Sequence, residues 1–258
     1  MLAHDGASTH RAARGRTTTM LDDIRACLFD VFGTVVDWHG SVSRDLAGFA
    51  AERGIASSPS GHGAGVDWVR FTEDWRRLYN PAMEEVRSGR RPWTVLDGLH
   101  RESLVHLLAE YGIDDCTDDD IDHMNRAWHR LDPWPDSVPG LTRLKAKYVI
   151  APCSNGNIAL IVDMAKRAGL PWDVVLGAEP ARAYKPAPEA YLASCRMLDL
   201  APDKVLMVAA HNYDLDAARA CGLRTAFVPR ATERDDTAGP DVDLEVDDFV
   251  DLAATLGC

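Results

Sequence analysis

The feature that most constrains this chain is a rhythm of short, almost wholly apolar runs separated by helix-like stretches. One run, Ile24 to Phe29, stands near the start. Four more crowd the second half: Lys147 to Cys153, Asp173 to Gly177, Lys204 to Ala210 and Arg224 to Val228. Runs without polar alternation belong to strands buried on both faces, as a parallel sheet requires. Helical segments such as Pro188 to Leu198 and Asp214 to Cys221 lie between them. Strand and helix in alternation predict a Rossmann-like, doubly wound parallel α/β sheet.

Residues 39–131 break the rhythm. They contain no buried-strand run, and Trp68, Phe71, Trp75, Leu78 and Tyr79 keep helical spacing, as do Leu96, Leu99, Leu104, Leu107 and Leu108. We read 21–38 and 132–258 as one core domain and 39–131 as a helical insertion, with a proline-rich hinge at Asp132 to Asp136. An insertion just after the first strand lies over the end of the sheet where open α/β folds bind ligands, so it is a candidate cap. Residues 1–20 lack periodicity and read as a flexible tail, with Met20 an alternative start; Asp5 and the missing amphipathic face argue against a transit peptide.

Composition removes other classes. No run of eighteen apolar residues exists, so no membrane helix is expected. The net charge of -12 argues against a nucleic-acid surface. Six scattered cysteines without a CxxC pair point to a reducing, cytoplasmic compartment and against a zinc site.

The chemistry gathers at strand ends. Asp30 follows the first strand and precedes a Gly-Thr turn; alone, it reads as a turn cap. Three further positions fall at carboxyl ends of strands or in the loops after them: Ser154-Asn155, Lys185 in Tyr184-Lys185-Pro186, and Asp214 in Ala209-Ala210-His211-Asn212-Tyr213-Asp214. A doubly wound sheet brings such positions together.

These segments, with Phe29-Asp30-Val31-Phe32-Gly33-Thr34 at their head, resemble the four motifs of the haloacid dehalogenase superfamily, in order and spacing, from Ile24 to the C-terminus. The resemblance implies a Rossmann-like core with an inserted cap. Most members are magnesium phosphatases with an acid two residues after the nucleophile and paired acids in the fourth motif. Here those positions hold Phe32 and Ala210. Magnesium wants several hard oxygen ligands, and an alkoxide leaving group needs a proton donor. A halide leaving group needs none, so carbon–halogen displacement survives both losses.

The chain is accordingly most similar to the type II (L-)2-haloacid dehalogenases. That resemblance implies a metal-independent and cofactor-free hydrolase of small halogenated carboxylic acids, acting through an aspartyl ester. By position, Asp30 attacks carbon, Thr34 and Ser154 hold carboxylate groups, and Lys185 keeps the nucleophile ionised. Asp214 orients Lys185 or helps to activate water, and Asn155 lines the halide pocket. Tyr191 matches a tyrosine near the site, and Phe32 stands in the substrate pocket where tyrosine is common, without that hydroxyl. His211 departs from the pattern and is either a pocket contact or a packed residue. The subfamily is often dimeric, so a homodimer is an expectation for the assembly.

A guanidinium from the cap suits an anionic substrate. Trp75-Arg76 matches the family's Trp-Arg element, with Arg77 a competitor for the role. Trp93 and other cap aromatics are either substrate wall or core. The acid-rich stretch Asp114 to Asp122 lacks the glycine and distal glutamate of a calcium loop; Thr117 as a helix N-cap explains it. A phosphatase of the same superfamily and a non-catalytic carboxylate binder remain the alternatives.

Overall fold

The computed structural model describes residues 21–58, 65–235 and 237–258. The expected tail at 1–20 lies outside the described residues. Strands β1 (Ala26–Phe29), β4 (Val149–Ser154), β5 (Leu176–Gly177), β6 (Val205–Ala209), β7 (Arg224–Phe227) and β8 (Leu244–Glu245) form one sheet in the order β5-β4-β1-β6-β7-β8. Every pairing is parallel. Successive side chains of β1 leave it on opposite faces. Cys27 and Phe29 enter one hydrophobic cluster, and Ala26 and Leu28 the other. All four are fully buried, which is why the run had to be apolar throughout.

Helices α1 (Trp38–Arg53), α2 (Trp68–Arg87), α3 (Leu96–Glu110) and α4 (Asp118–Asn125) fill the insertion and pack on one another. Asp67 caps α2 by accepting from the Val69 and Arg70 amides. The acid-rich stretch starts α4 through a capping box between Thr117 and Asp120, which places acids where the helix dipole favours them. Trp75 and Trp128 are buried at the centre of this layer. Phe32, from the loop after β1, meets Tyr79 and Trp128 edge-on, with ring centroids 6.5 and 5.7 Å apart. The helical layer therefore sits on the carboxyl end of β1.

The remaining helices are α5 (Ser137–Lys145), α6 (Ile158–Ala168), α7 (Ala178–Ala181), α8 (Pro188–Met197), α9 (Asn212–Ala220) and α10 (Phe249–Thr255). Two details differ from the sequence reading. The hinge is a ladder: β2 (Val36–Asp37) pairs antiparallel with β3 (Asp132–Pro133), so the insertion leaves and returns through one neck. Two residues are too few to show an alternation. The run at Asp173 contributes only Leu176 and Gly177 as strand, because β5 is an edge and Val174 faces solvent. Among the described residues, no helix is long and apolar enough to cross a membrane.

Candidate active site

Asp30 leaves β1 at its carboxyl end and is 8% exposed. Lys185, in the loop before α8, places its Nζ 2.9 Å from Asp30 Oδ1 and 2.5 Å from Asp214 Oδ2. Asp214 lies in the first turn of α9, where the helix dipole favours a carboxylate. Lys185 itself is held by its backbone: its amide donates to Asn155 Oδ1 at 2.8 Å, and its carbonyl accepts from Arg87 of α2 at 2.9 Å. The expected Asp30–Lys185–Asp214 constellation is thus assembled from three widely separated segments.

The second oxygen of Asp30 has two partners. Thr34 Oγ1 donates to Oδ2 at 2.7 Å, its own oxygen accepting from the Ala210 amide at 2.9 Å. His211 Nδ1 lies 3.1 Å from Oδ2, and its Nε2 lies 2.9 Å from Glu233 Oε2. Ionised carboxylates only accept, so an imidazole between two of them donates from both nitrogens and is charged.

The electrostatics follow from this packing. Burial alone would push Asp30 up, but the Lys185 ammonium and the His211 contacts outweigh it and hold the carboxyl well below its usual range. Burial would pull Lys185 down; Asp214 and Asp30 instead raise it well above its ordinary value. Asp214, the deeper acid, is pushed up by burial, which Lys185 does not fully offset. Burial opposes a charge on His211, yet the hydrogen bonds to Asp30 and Glu233 lift it to about 10. Asp30 is therefore held as a buried, oriented anion, the state a carbon-attacking nucleophile needs.

The other expected residues separate into groups. Asn155 spends its carbonyl on the Lys185 amide. Ser154 is fully buried and accepts from the Gly156 amide at 3.0 Å, leaving its O–H to donate. Tyr191 is also buried, and its hydroxyl bonds Asp214 Oδ1, so it lies behind Asp214 and acts on it rather than on the cleft. Phe32 is packed hydrocarbon.

Beside His211, the partner of Asp30, opens a cleft of about 680 Å³ whose lining includes Trp38, Arg76, Tyr213 and Glu233. Arg76 holds its guanidinium carbon 4.0 Å from the centroid of Tyr79 and 5.4 Å from that of Trp38. Among the described residues no carboxylate pairs with it. Arg77 also borders the cleft, but it bonds Asp74 and its side chain is 74% exposed. Trp93 packs at 4.8 Å from Tyr184.

A superfamily magnesium ion does not fit this residue set. Both carboxylates are already committed to Lys185, and Phe32 and Ala210 offer hydrocarbon where further oxygens would be needed. Among the described residues no group of three or more His, Cys, Asp or Glu side chains is arranged to hold a metal.

Sequence reasoning missed Glu233, Trp38 and Tyr79. Glu233 follows β7 at the same end of the sheet as the other motifs, and that position was its one legible signal. Trp38 Nε1 donates to Glu233 Oε1 at 2.9 Å. Arg230 fastens the loop: its Nε donates to the Thr34 carbonyl at 2.9 Å, and it pairs with both oxygens of Asp136. Gly33, at φ +87°, lies directly under Glu233; a Cβ there would stand 2.2 Å from Oε1. Glycine is needed both for the backbone and for the approach.

A family model described as haloacid dehalogenase-like hydrolase matches residues 24–222. (S)-2-haloacid dehalogenase 4A of Burkholderia cepacia is 30% identical over 218 residues, covering 82% of this chain and 85% of that protein. The crystal structure of a defluorinating L-2-haloacid dehalogenase superposes with a TM-score of 0.85 at 46% identity, covering 91% of this chain and 96% of that one. A second L-2-haloacid dehalogenase structure gives 0.82 at 45% identity, over 91% and 100%. Asp30, Lys185 and Asp214 meet at the carboxyl ends of a parallel sheet, and the family match spans all three: the chain belongs to the haloacid dehalogenase-like hydrolases.

Proposed function

We propose that the protein hydrolyses small 2-haloacids or haloacetates to 2-hydroxy acids, without a metal or organic cofactor. The observation that carries the reading is the state of Asp30: a buried anion clamped by Lys185, in a site whose neighbouring acid positions are Phe32 and Ala210. Asp30 attacks the halogen-bearing carbon. The new carbon–oxygen bond forms as the carbon–halogen bond breaks, and halide departs with the electron pair. A halide is too weak a base to need a proton, so no acid at Phe32 is required. Water then cleaves the ester, with Asp214 taking part in its activation and Tyr191 fixing the Asp214 carboxylate.

Arg76 holds the anion from above. Its lack of a carboxylate partner among the described residues and its ring-face seat support that role. Residues 39–131 act as the cap, and Asn155, with Thr34 and Ser154, completes the floor. The relatives named above as 2-haloacid dehalogenases support the substrate class. The net charge of -12 supports a small-molecule rather than a nucleic-acid partner, and the free cysteines support a reducing, cytoplasmic setting. A homodimer is the assembly we propose from the subfamily.

The test is halide release from fluoro-, chloro- and bromoacetate and from both enantiomers of 2-chloropropionate, beside p-nitrophenyl phosphate as a phosphatase control. Halide from at least one haloacid and no phosphate is the expected pattern. Phosphate release without halide would make the protein a phosphatase, and neither product would leave a carboxylate binder.

A further inference from the structure

We propose that His211, held by Glu233, is a catalytic oxyanion donor for the second half of the reaction, the cleavage of the Asp30 ester. The inference rests on the dehalogenase reading above and assigns to this chain a device built from its own His211 and Glu233.

The two oxygens of Asp30 are held differently. A carboxylate oxygen has two in-plane lone pairs. On Oδ2 both are taken, by Thr34 Oγ1 at 2.7 Å and His211 Nδ1 at 3.1 Å. On Oδ1 the described residues supply one donor, Lys185 at 2.9 Å. Oδ1 retains a free pair and is the attacking oxygen. Oδ2 then becomes the carbonyl oxygen of the ester, with its two donors already in place.

Water bonds to Cγ of that ester, and the Cγ–Oδ2 π electrons move onto Oδ2. The charge develops where Thr34 and His211 point. When the electrons return, the Cγ–Oδ1 bond breaks, and Oδ1 leaves as the hydroxyl oxygen of the product. One proton of the water ends on that hydroxyl and the other passes to solvent, so Asp30 is regenerated as a carboxylate carrying the water's oxygen. Donors fixed before the charge appears are the most effective form of such stabilisation.

Glu233 is the positioning residue. Forming the ester removes the negative charge of Asp30, one of the two carboxylates beside His211. Glu233 is the other, and it stays. It is 9% exposed at its side chain, is tied to Trp38 Nε1, and closes against Gly33. His211 therefore still faces a carboxylate when the oxyanion forms, and keeps its proton through the step that needs it.

The test uses the full-length protein with chloroacetate in excess, quenched at short intervals, reading chloride and the mass of the Asp30 peptide. His211→Gln keeps a polar side chain but cannot carry the charge. It should release about one chloride per enzyme in a burst, then turn over roughly 10²–10³-fold more slowly than wild type, the usual loss for one oxyanion donor. The peptide containing Asp30 should carry the substrate's carboxymethyl group. Glu233→Gln keeps partners for both Trp38 and His211, so it guards against a folding failure of the first variant. It should accumulate the same ester with a smaller loss, about tenfold. If neither variant accumulates ester, the inference is wrong, whether turnover stays normal or the burst itself vanishes. Wild-type chloride release separates the two readings. Release by wild type without ester in the variants overturns only this inference; no release from any haloacid overturns the dehalogenase reading and this inference with it.

Discussion

Replacing Lys185 by methionine tests the electrostatic core of the site, because it removes the charge while keeping the length of the side chain. Two buried carboxylates, Asp30 and Asp214, share that one ammonium at 2.9 and 2.5 Å. At an effective dielectric near 20, each contact of that length represents about 6 kcal/mol of gross attraction, most of it offset by the cost of burying the charges. Removing one partner leaves the other charges uncompensated, which costs about 3–5 kcal/mol. For a chain of this size that is a fall in Tm of roughly 10 °C. The sign with pH follows from Asp30. Its folded carboxyl lies below the unfolded value, so its stabilisation is present above about pH 4 and is lost as pH falls through the folded value. In Lys185→Met both carboxyls take up protons more readily, so the gap to wild type is widest near neutrality and narrows in acid. Denaturant unfolding of both proteins at about pH 7 and about pH 4, with halide release at pH 7, reads the effect. A variant within about 1 kcal/mol of wild type at neutral pH that also retains turnover would refute the reasoning.

Three further outcomes are expected. Arg76→Lys should lose at least about tenfold in kcat/KM, because a point charge does not replace a planar fork seated over Tyr79 and Trp38; Arg77→Lys should stay within about twofold, and the reverse order would mean the anion clamp is Arg77. Excess EDTA should leave halide release unchanged, since Phe32 and Ala210 stand where ligand acids would be needed, and a loss restored by magnesium would sink the metal-independent reading. A single turnover in heavy-oxygen water with enzyme in excess should label the Asp30 peptide and leave the first product unlabelled. Label in the product and none on Asp30 would establish direct attack by water.

The sheet was legible because its evidence is local. A strand buried on both faces needs an uninterrupted apolar run, and β1, β4, β6 and β7 each carry one. Asp30, Ser154-Asn155, Lys185 and Asp214 stood out because each follows such a run or lies in the loop beyond it. The two-residue ladder at the neck left no trace, since a pair of residues carries no period. On α2, adjacent residues differ by about 100° around the axis. The Trp-Arg resemblance pointed to Arg76 with Arg77 as a competitor, but only the packing of Tyr79 and Trp38 placed one over the rings and left the other with Asp74. Tyr191 was expected near the site, and the fold sets its hydroxyl on Asp214 Oδ1. Glu233 carried only its position after β7 as a signal, because a lone acid in a loop after the last motif has no pattern of its own. It acquires meaning through Arg230 gripping Asp136 and the Thr34 turn, through Gly33 leaving room, and through His211 arriving from the start of α9. Local pattern determined which segments reach the end of the sheet. Only the tertiary structure decided which charges meet there, because hydrogen bonds and ion pairs depend on distances between atoms that the chain itself keeps far apart.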